Sequence, residues 1–86
     1  MSQLNTREEL LLDTLLNLRW NSAMRRHLTA DNLEATLNAG EGFARDTRRI
    51  REVTDELVRL GIDRHPKVVA QLRQLDEQIA GLRASF

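Results

Sequence analysis

The chain has 86 residues, enough for a single small domain (residues 1–86) whose hydrophobic core is only just sufficient. Aromatic residues make up 3% of the sequence, so the core must be aliphatic. Thirteen basic and thirteen acidic residues cancel, which removes any bulk attraction to nucleic acid or to an anionic membrane. The absence of cysteine excludes disulfides and thiolate metal sites. No apolar run approaches the roughly 20 residues of a membrane span, and the polar start is unlike a signal peptide, so we expect a soluble cytoplasmic protein.

The first predicted helix covers about residues 7–28, without an interrupting glycine or proline. Thr6 is the predicted N-cap, with Glu9 three residues later to complete a capping box. On a helical wheel its apolar residues spread over roughly 240°, far beyond the ~100° stripe of an ordinary surface helix. Such a helix must be covered on two sides.

A short second helix is predicted over about residues 30–39, capped by Thr29 or Asp31, with Leu33 and Leu37 on one face. Two glycines follow within three residues, at positions 40 and 42, and each costs roughly 1 kcal/mol in a helix interior. They predict a break or a kink. The alternative is one long helix in which the glycines permit a close helix crossing.

The last two predicted helices cover about residues 43–60 and 66–84. Gly61 is suited to end the third helix in a left-handed conformation, with Ile62 folding back over its last turn, and Pro66 suits the start of the fourth. The apolar residues of the fourth helix are spaced 4-3-4-3-4, the seam of a helix packed lengthwise on another, at Val68, Leu72, Leu75, Ile79, Leu82 and Phe86. A matching stripe lies upstream at Phe43, Ile50, Val53, Leu57 and Leu60. The predicted fold is therefore all-α: a small antiparallel bundle of three long helices and one short helix, in which the last two long helices form a coiled-coil-like hairpin.

Two explanations fit the surplus of leucines on the first helix. Either the helix is central in a four-helix arrangement, or part of its apolar face is left for a partner. We favour the second, and the predicted partner-binding residues are Leu11, Leu15, Leu18, Trp20, Met24 and the aromatic Phe86 at the last position. The predicted function is a non-catalytic protein–protein interaction module, of adaptor, chaperone or inhibitor type or a homodimer. A leading helix followed by a helical hairpin resembles, in architecture alone, small cytoplasmic secretion chaperones and phage-encoded inhibitor proteins.

The alternative function is a small nucleic-acid-binding regulator with an arginine-rich helix face. Its candidate residues are Arg25, Arg26, Arg45, Arg48 and Arg49. Acidic residues are interleaved with these arginines at i,i+4 spacing, as in Glu41 with Arg45, which is typical of a salt-bridged, solvated face. A nucleic-acid partner is therefore the less favoured prediction.

Catalysis has little support in the sequence. His27 and His65 are the only histidines, and neither has a second ligand at a metal-binding spacing. Ser22 lies five residues from His27, and no oxyanion loop accompanies them. The glycines at positions 40 and 42 lack the GK[ST] ending of a phosphate loop. We expect no enzymatic activity, no cofactor, no metal and no small-molecule substrate.

Overall fold

A computed structural model describes residues 3–84, apart from the side chain of residue 83, as four α-helices without a strand. The helices are α1 (Thr6–Thr29), α2 (Leu33–Asn38), α3 (Gly40–Arg59) and α4 (Pro66–Ala84). The prediction of an all-helical fold is confirmed for this part of the chain.

Helix α1 begins with a capping box one residue earlier than predicted. Asn5 has an extended backbone, and its side-chain oxygen accepts a hydrogen bond from the Glu8 amide at 2.8 Å. The Glu8 carboxylate in turn accepts from the Asn5 amide at 2.9 Å. The predicted box of Thr6 and Glu9 is therefore wrong by one position. Leu4 is buried in the core, which fixes where the chain enters the helix and places Asn5 at the cap.

The interruption between α2 and α3 is the single residue Ala39. Gly40 is already the first residue of α3. Gly42 is buried under the side chain of Arg25 from α1, and a Cβ placed there would lie 2.1 Å from Arg25 Nη1. The chain thus breaks just before the two glycines, as predicted, and Gly42 leaves room for the Arg25 side chain.

The turn between α3 and α4 has the features that the sequence indicates. Gly61 is left-handed (φ 75°) and donates from its amide to the Val58 carbonyl at 2.9 Å. The Ile62 amide donates to the Leu57 carbonyl at 3.1 Å, which completes a Schellman motif, and the Ile62 side chain is buried. Pro66 is the first residue of α4.

Helix α1 is the centre of the molecule and contacts each of the other three helices. Within the described residues, α3 and α4 have no close backbone approach to each other. The predicted coiled-coil-like pairing of α3 with α4 is not confirmed, and both helices pack on α1. The flanks of α1 face different neighbours: Leu16 lies beside Leu75 of α4, whereas Arg25 lies against α3.

Ion pairs between the helices give their directions. Glu9 pairs with Lys67 at 2.7 Å and Arg19 with Asp76 at 2.6 Å, so α1 and α4 run parallel. Residue numbers fall along α3 as they rise along α1, since Arg7 lies 3.6 Å from Glu56 and Arg25 lies 3.2 Å from Asp46. Helix α3 is therefore antiparallel to α1.

The buried core lies at one end of this array, which we call the turn end. Its buried residues come from all three long helices and their flanking segments: Leu4, Leu12, Leu15, Val53, Leu57, Ile62 and Val68. We call the opposite end, where α2 lies, the open end. The molecule measures 47 × 26 × 16 Å, and its thinnest dimension is little more than the ~10–12 Å diameter of one helix with side chains.

Candidate protein-binding surfaces

The predicted partner face of α1 lies largely inside the molecule. Leu15 is 2% exposed and belongs to the core, so its assignment to a partner surface is wrong. Leu11 and Leu18 are partly buried and pack against the same core. The central position of α1, covered by α3 on one side and α4 on the other, accounts for these leucines without a partner. The width of the apolar arc on α1 correctly predicted that this helix is covered on two sides. It could not show that the covering helices belong to the same chain.

Trp20 is partly buried in a shallow cleft between α1 and α4, with a volume of about 340 Å³. Leu16 and Leu75 lie in the same cleft, and its α4 side carries the glutamines Gln71, Gln74 and Gln78. Met24 is also partly buried. Phe86 lies outside the described residues. A partner-binding role for Trp20, Met24 and Phe86 stays a prediction.

Among the described residues, the largest exposed apolar side chains at the open end are three leucines, which we call the leucine end. Leu28 is 73% exposed, Leu33 75% and Leu37 71%. Helix α2, which carries two of them, has no buried residue. Its cap is well formed, because the Asn32 side chain accepts from the Ala35 amide at 2.9 Å. The sequence signal for this surface was the pair of leucines at i,i+4, Leu33 and Leu37.

A groove of about 380 Å³ lies over the C-terminal half of α1, between α3 and α4. The face of α1 that carries Leu12 and Leu15 continues, at helical spacing, to Arg19, Ser22 and Arg26. These longer or polar side chains form the floor of the groove. At the turn end, leucines occupy the equivalent positions on α1. The α3 wall carries Ile50. The α4 wall carries Ile79, Ala80 and the acidic Asp76, which pairs with Arg19 of the floor. Ala23 of α1 adds an apolar side chain to the floor.

The arginines of the nucleic-acid prediction are divided between paired and exposed positions. Arg25 Nε lies 3.2 Å from Asp46 Oδ2, an ion pair whose two atoms are shielded from solvent but not aligned as a hydrogen bond. Arg26 lies over the Phe43 ring, 5.4 Å from its centroid. Arg49 pairs with Glu52 at 3.2 Å; Arg45 and Arg48 are exposed on α3. Internal contacts thus engage three of the five arginines, and nucleic-acid binding stays a prediction without support from this geometry.

Other kinds of site find no basis in the described residues. No group of three His, Asp or Glu side chains within them could hold a metal ion, and none of their helices is long and apolar enough to cross a membrane. Comparisons with protein-family models, with curated proteins and with solved structures give no match to this chain.

Proposed function

We propose that this chain is a non-catalytic protein–protein interaction module that docks on another protein through the leucine end (Leu28, Leu33 and Leu37). The observation that carries the proposal is the 71–75% exposure of these three side chains at one end of a small helical protein. Scattered single apolar residues on a surface are ordinary, but a cluster of large ones is typical of an interaction site. This assignment moves the favoured surface from the leucines of α1 to α2 and the end of α1.

The construction of α2 supports this proposal. A helix of six residues is far below the length that is stable alone in water, and helices of this size normally depend on burying an apolar face. Helix α2 instead exposes Leu33 and Leu37 while its backbone is held by the Asn32 cap. Fully burying a leucine contributes about 1.5–3 kcal/mol, so a partner that covers these side chains supplies stabilisation that the chain alone does not use.

The test compares two double variants of the full chain. Leu33→Glu/Leu37→Glu changes the leucine end, and Val58→Glu/Val69→Glu is the matched control, because those valines are also exposed but lie on α3 and α4 near the turn end. Each protein is captured from the native cell, and the mass of the complex is measured by light scattering. We expect a complex of defined stoichiometry with the wild type and the control, and its loss with the α2 variant.

All four substituted side chains are exposed, so circular dichroism should show the same helix content in the three proteins. The proposal fails if the α2 variant retains the complex, if both variants lose it equally, or if the wild type forms no complex at all.

A further inference from the structure

We propose that the partner of the leucine end is a second copy of this chain, and that α2 of each copy lies in the groove of the other. This inference rests on the proposed function, since it names the occupant of the same surface. It joins two features of the open end: a helix whose two leucines are exposed, and a groove that no helix of the described chain occupies.

The groove is long enough for α2. Its floor runs along α1 from Arg19 to Arg26, eight residues and about 12 Å at 1.5 Å per residue. Helix α2 has six residues, about 9 Å. Above this stretch of α1 the groove leaves about 380 Å³ between α3 and α4, which the side chains of a docked helix can enter.

The apolar side chains of the two surfaces are complementary. Leu33 and Leu37 are one helical turn apart on the exposed face of α2. The groove offers Ile50 on one wall and Ile79 and Ala80 on the other, both on seams whose spacing suits packing against a helix. A helix that lays two leucines between these walls continues the packing that Leu12 and Leu15 provide at the turn end.

The charges of the two surfaces are also complementary. Residues 29–44, which contain α2, include Asp31, Glu34 and Glu41 and no arginine or lysine. The groove carries Arg19 and Arg26, of which Arg19 is paired with Asp76. Among the described side chains, no carboxylate forms an ion pair with Arg26. An acidic helix lying in this groove brings Glu34 to the Arg26 guanidinium, which lies over the Phe43 ring.

Symmetry favours a second copy over a foreign helix. Each chain has one α2 and one groove, so a two-fold axis makes the same contact twice and leaves neither surface empty. The formal net charge of zero means that two copies do not repel each other.

The decisive experiment uses two charge reversals and their mixture. The mass of the chain is measured by light scattering from about 1 µM to about 1 mM, the range in which weak dimers form. We expect the wild type to reach twice its chain mass of 9.9 kDa, and Glu34→Arg and Arg26→Glu each to weaken dimerisation about tenfold or more. Mixing the two variants should restore it, because in the mixed dimer both α2–groove contacts again join opposite charges. Arg45→Glu, a reversal at an exposed position on α3, is the matched control and should dimerise like the wild type.

A cross-linking measurement tests the same contact without changing a charge. The chain has no cysteine, so Asn38→Cys on α2 and Ala80→Cys on the groove wall give disulfides without background. We expect a mixture of the two single variants to form the mixed disulfide faster than either forms a disulfide with itself.

Three results would overturn the inference. A wild type that stays monomeric up to the highest concentration excludes the dimer but leaves the proposed function standing, if the capture experiment finds a foreign partner. A dimer that is insensitive to Glu34→Arg, or that mixing does not restore, excludes the groove as the occupied site. Faster disulfide formation of Asn38→Cys with itself means that two leucine ends meet each other and that the grooves stay outside the contact.

Discussion

The turn end and the open end of this molecule carry the same apolar repeat on α3 and α4, yet only the turn end is packed. At the turn end Leu57 and Val68 are among the most deeply buried side chains of the described structure. At the open end the corresponding Ile50 and Ile79 are only partly buried. The apolar repeat itself does not change between the two ends, so it cannot be the cause of this difference in burial.

The difference comes from the face that α1 presents to the other two helices. That face has Leu12 and Leu15 at the turn end, but Arg19, Ser22 and Arg26 at the open end. Two apolar seams close into a core only where the third helix supplies apolar side chains between them. Where it supplies guanidinium groups and a serine, apolar side chains do not fill the space between the seams and a groove remains.

The largest expected effect is the loss of stability when a buried side chain at the turn end is shortened. Leu15→Ala should lower the free energy of unfolding by about 2–5 kcal/mol, because it removes buried side-chain atoms from a core with little room to collapse. Ile79→Ala, at the open end, should cost less than half as much, since its side chain is already partly in contact with water. Urea denaturation followed by circular dichroism measures both.

Equal losses for Leu15→Ala and Ile79→Ala would contradict this contrast, because they would mean that both ends contribute equally to stability. The measurement is made at low protein concentration, so that dimerisation does not add to the stability of the open end.

A second, smaller effect is expected from replacing a glycine by alanine in the turn, compared with the same replacement within α4. Gly61 and Gly81 both have open space where a Cβ would lie, but Gly61 alone is left-handed. Gly61→Ala should therefore destabilise the protein by about 1–2 kcal/mol through its backbone alone. Gly81→Ala, within α4, should stabilise it by up to about 1 kcal/mol, the helix preference of alanine over glycine. Thermal unfolding of the two variants checks the opposite signs, and a Gly61→Ala variant as stable as the wild type would show that the Schellman turn is not needed to close this end.

The sequence was most informative where structure is set by a few neighbouring residues. Gly61, Ile62 and Pro66 mark the turn correctly because capping and termination depend on backbone groups within one helical turn. The position of the first cap was wrong by one residue because Asn5 and Thr6 are both good caps, and the burial of Leu4 decides between them.

The arrangement of the helices was less predictable. The matching spacing on α3 and α4 is equally compatible with pairing to each other and with pairing to a third helix, and the periodicity of one helix does not identify its neighbour. For the same reason Leu15 was assigned to a surface although it is in the core. The groove could not be read from any one helix, since it needs the floor of α1 and both walls at once.

The smallest expected effects come from removing the N-cap of α1 at the turn end and the N-cap of α2 at the open end. Asn5→Ala should cost about 1 kcal/mol of global stability, because it removes the side-chain oxygen that accepts from the Glu8 amide on the helix that carries the core. Thr6→Ala is the matched control and should change stability little, since Thr6 lies one position inside the helix and does not cap it. Asn32→Ala removes a cap of the same kind from α2, which buries nothing, so it should accelerate amide exchange in α2 and leave the urea midpoint unchanged. If Asn32→Ala lowered the global midpoint as much as Asn5→Ala, α2 would be part of the cooperative core, and the distinction between a packed turn end and an open end available to a partner would not hold.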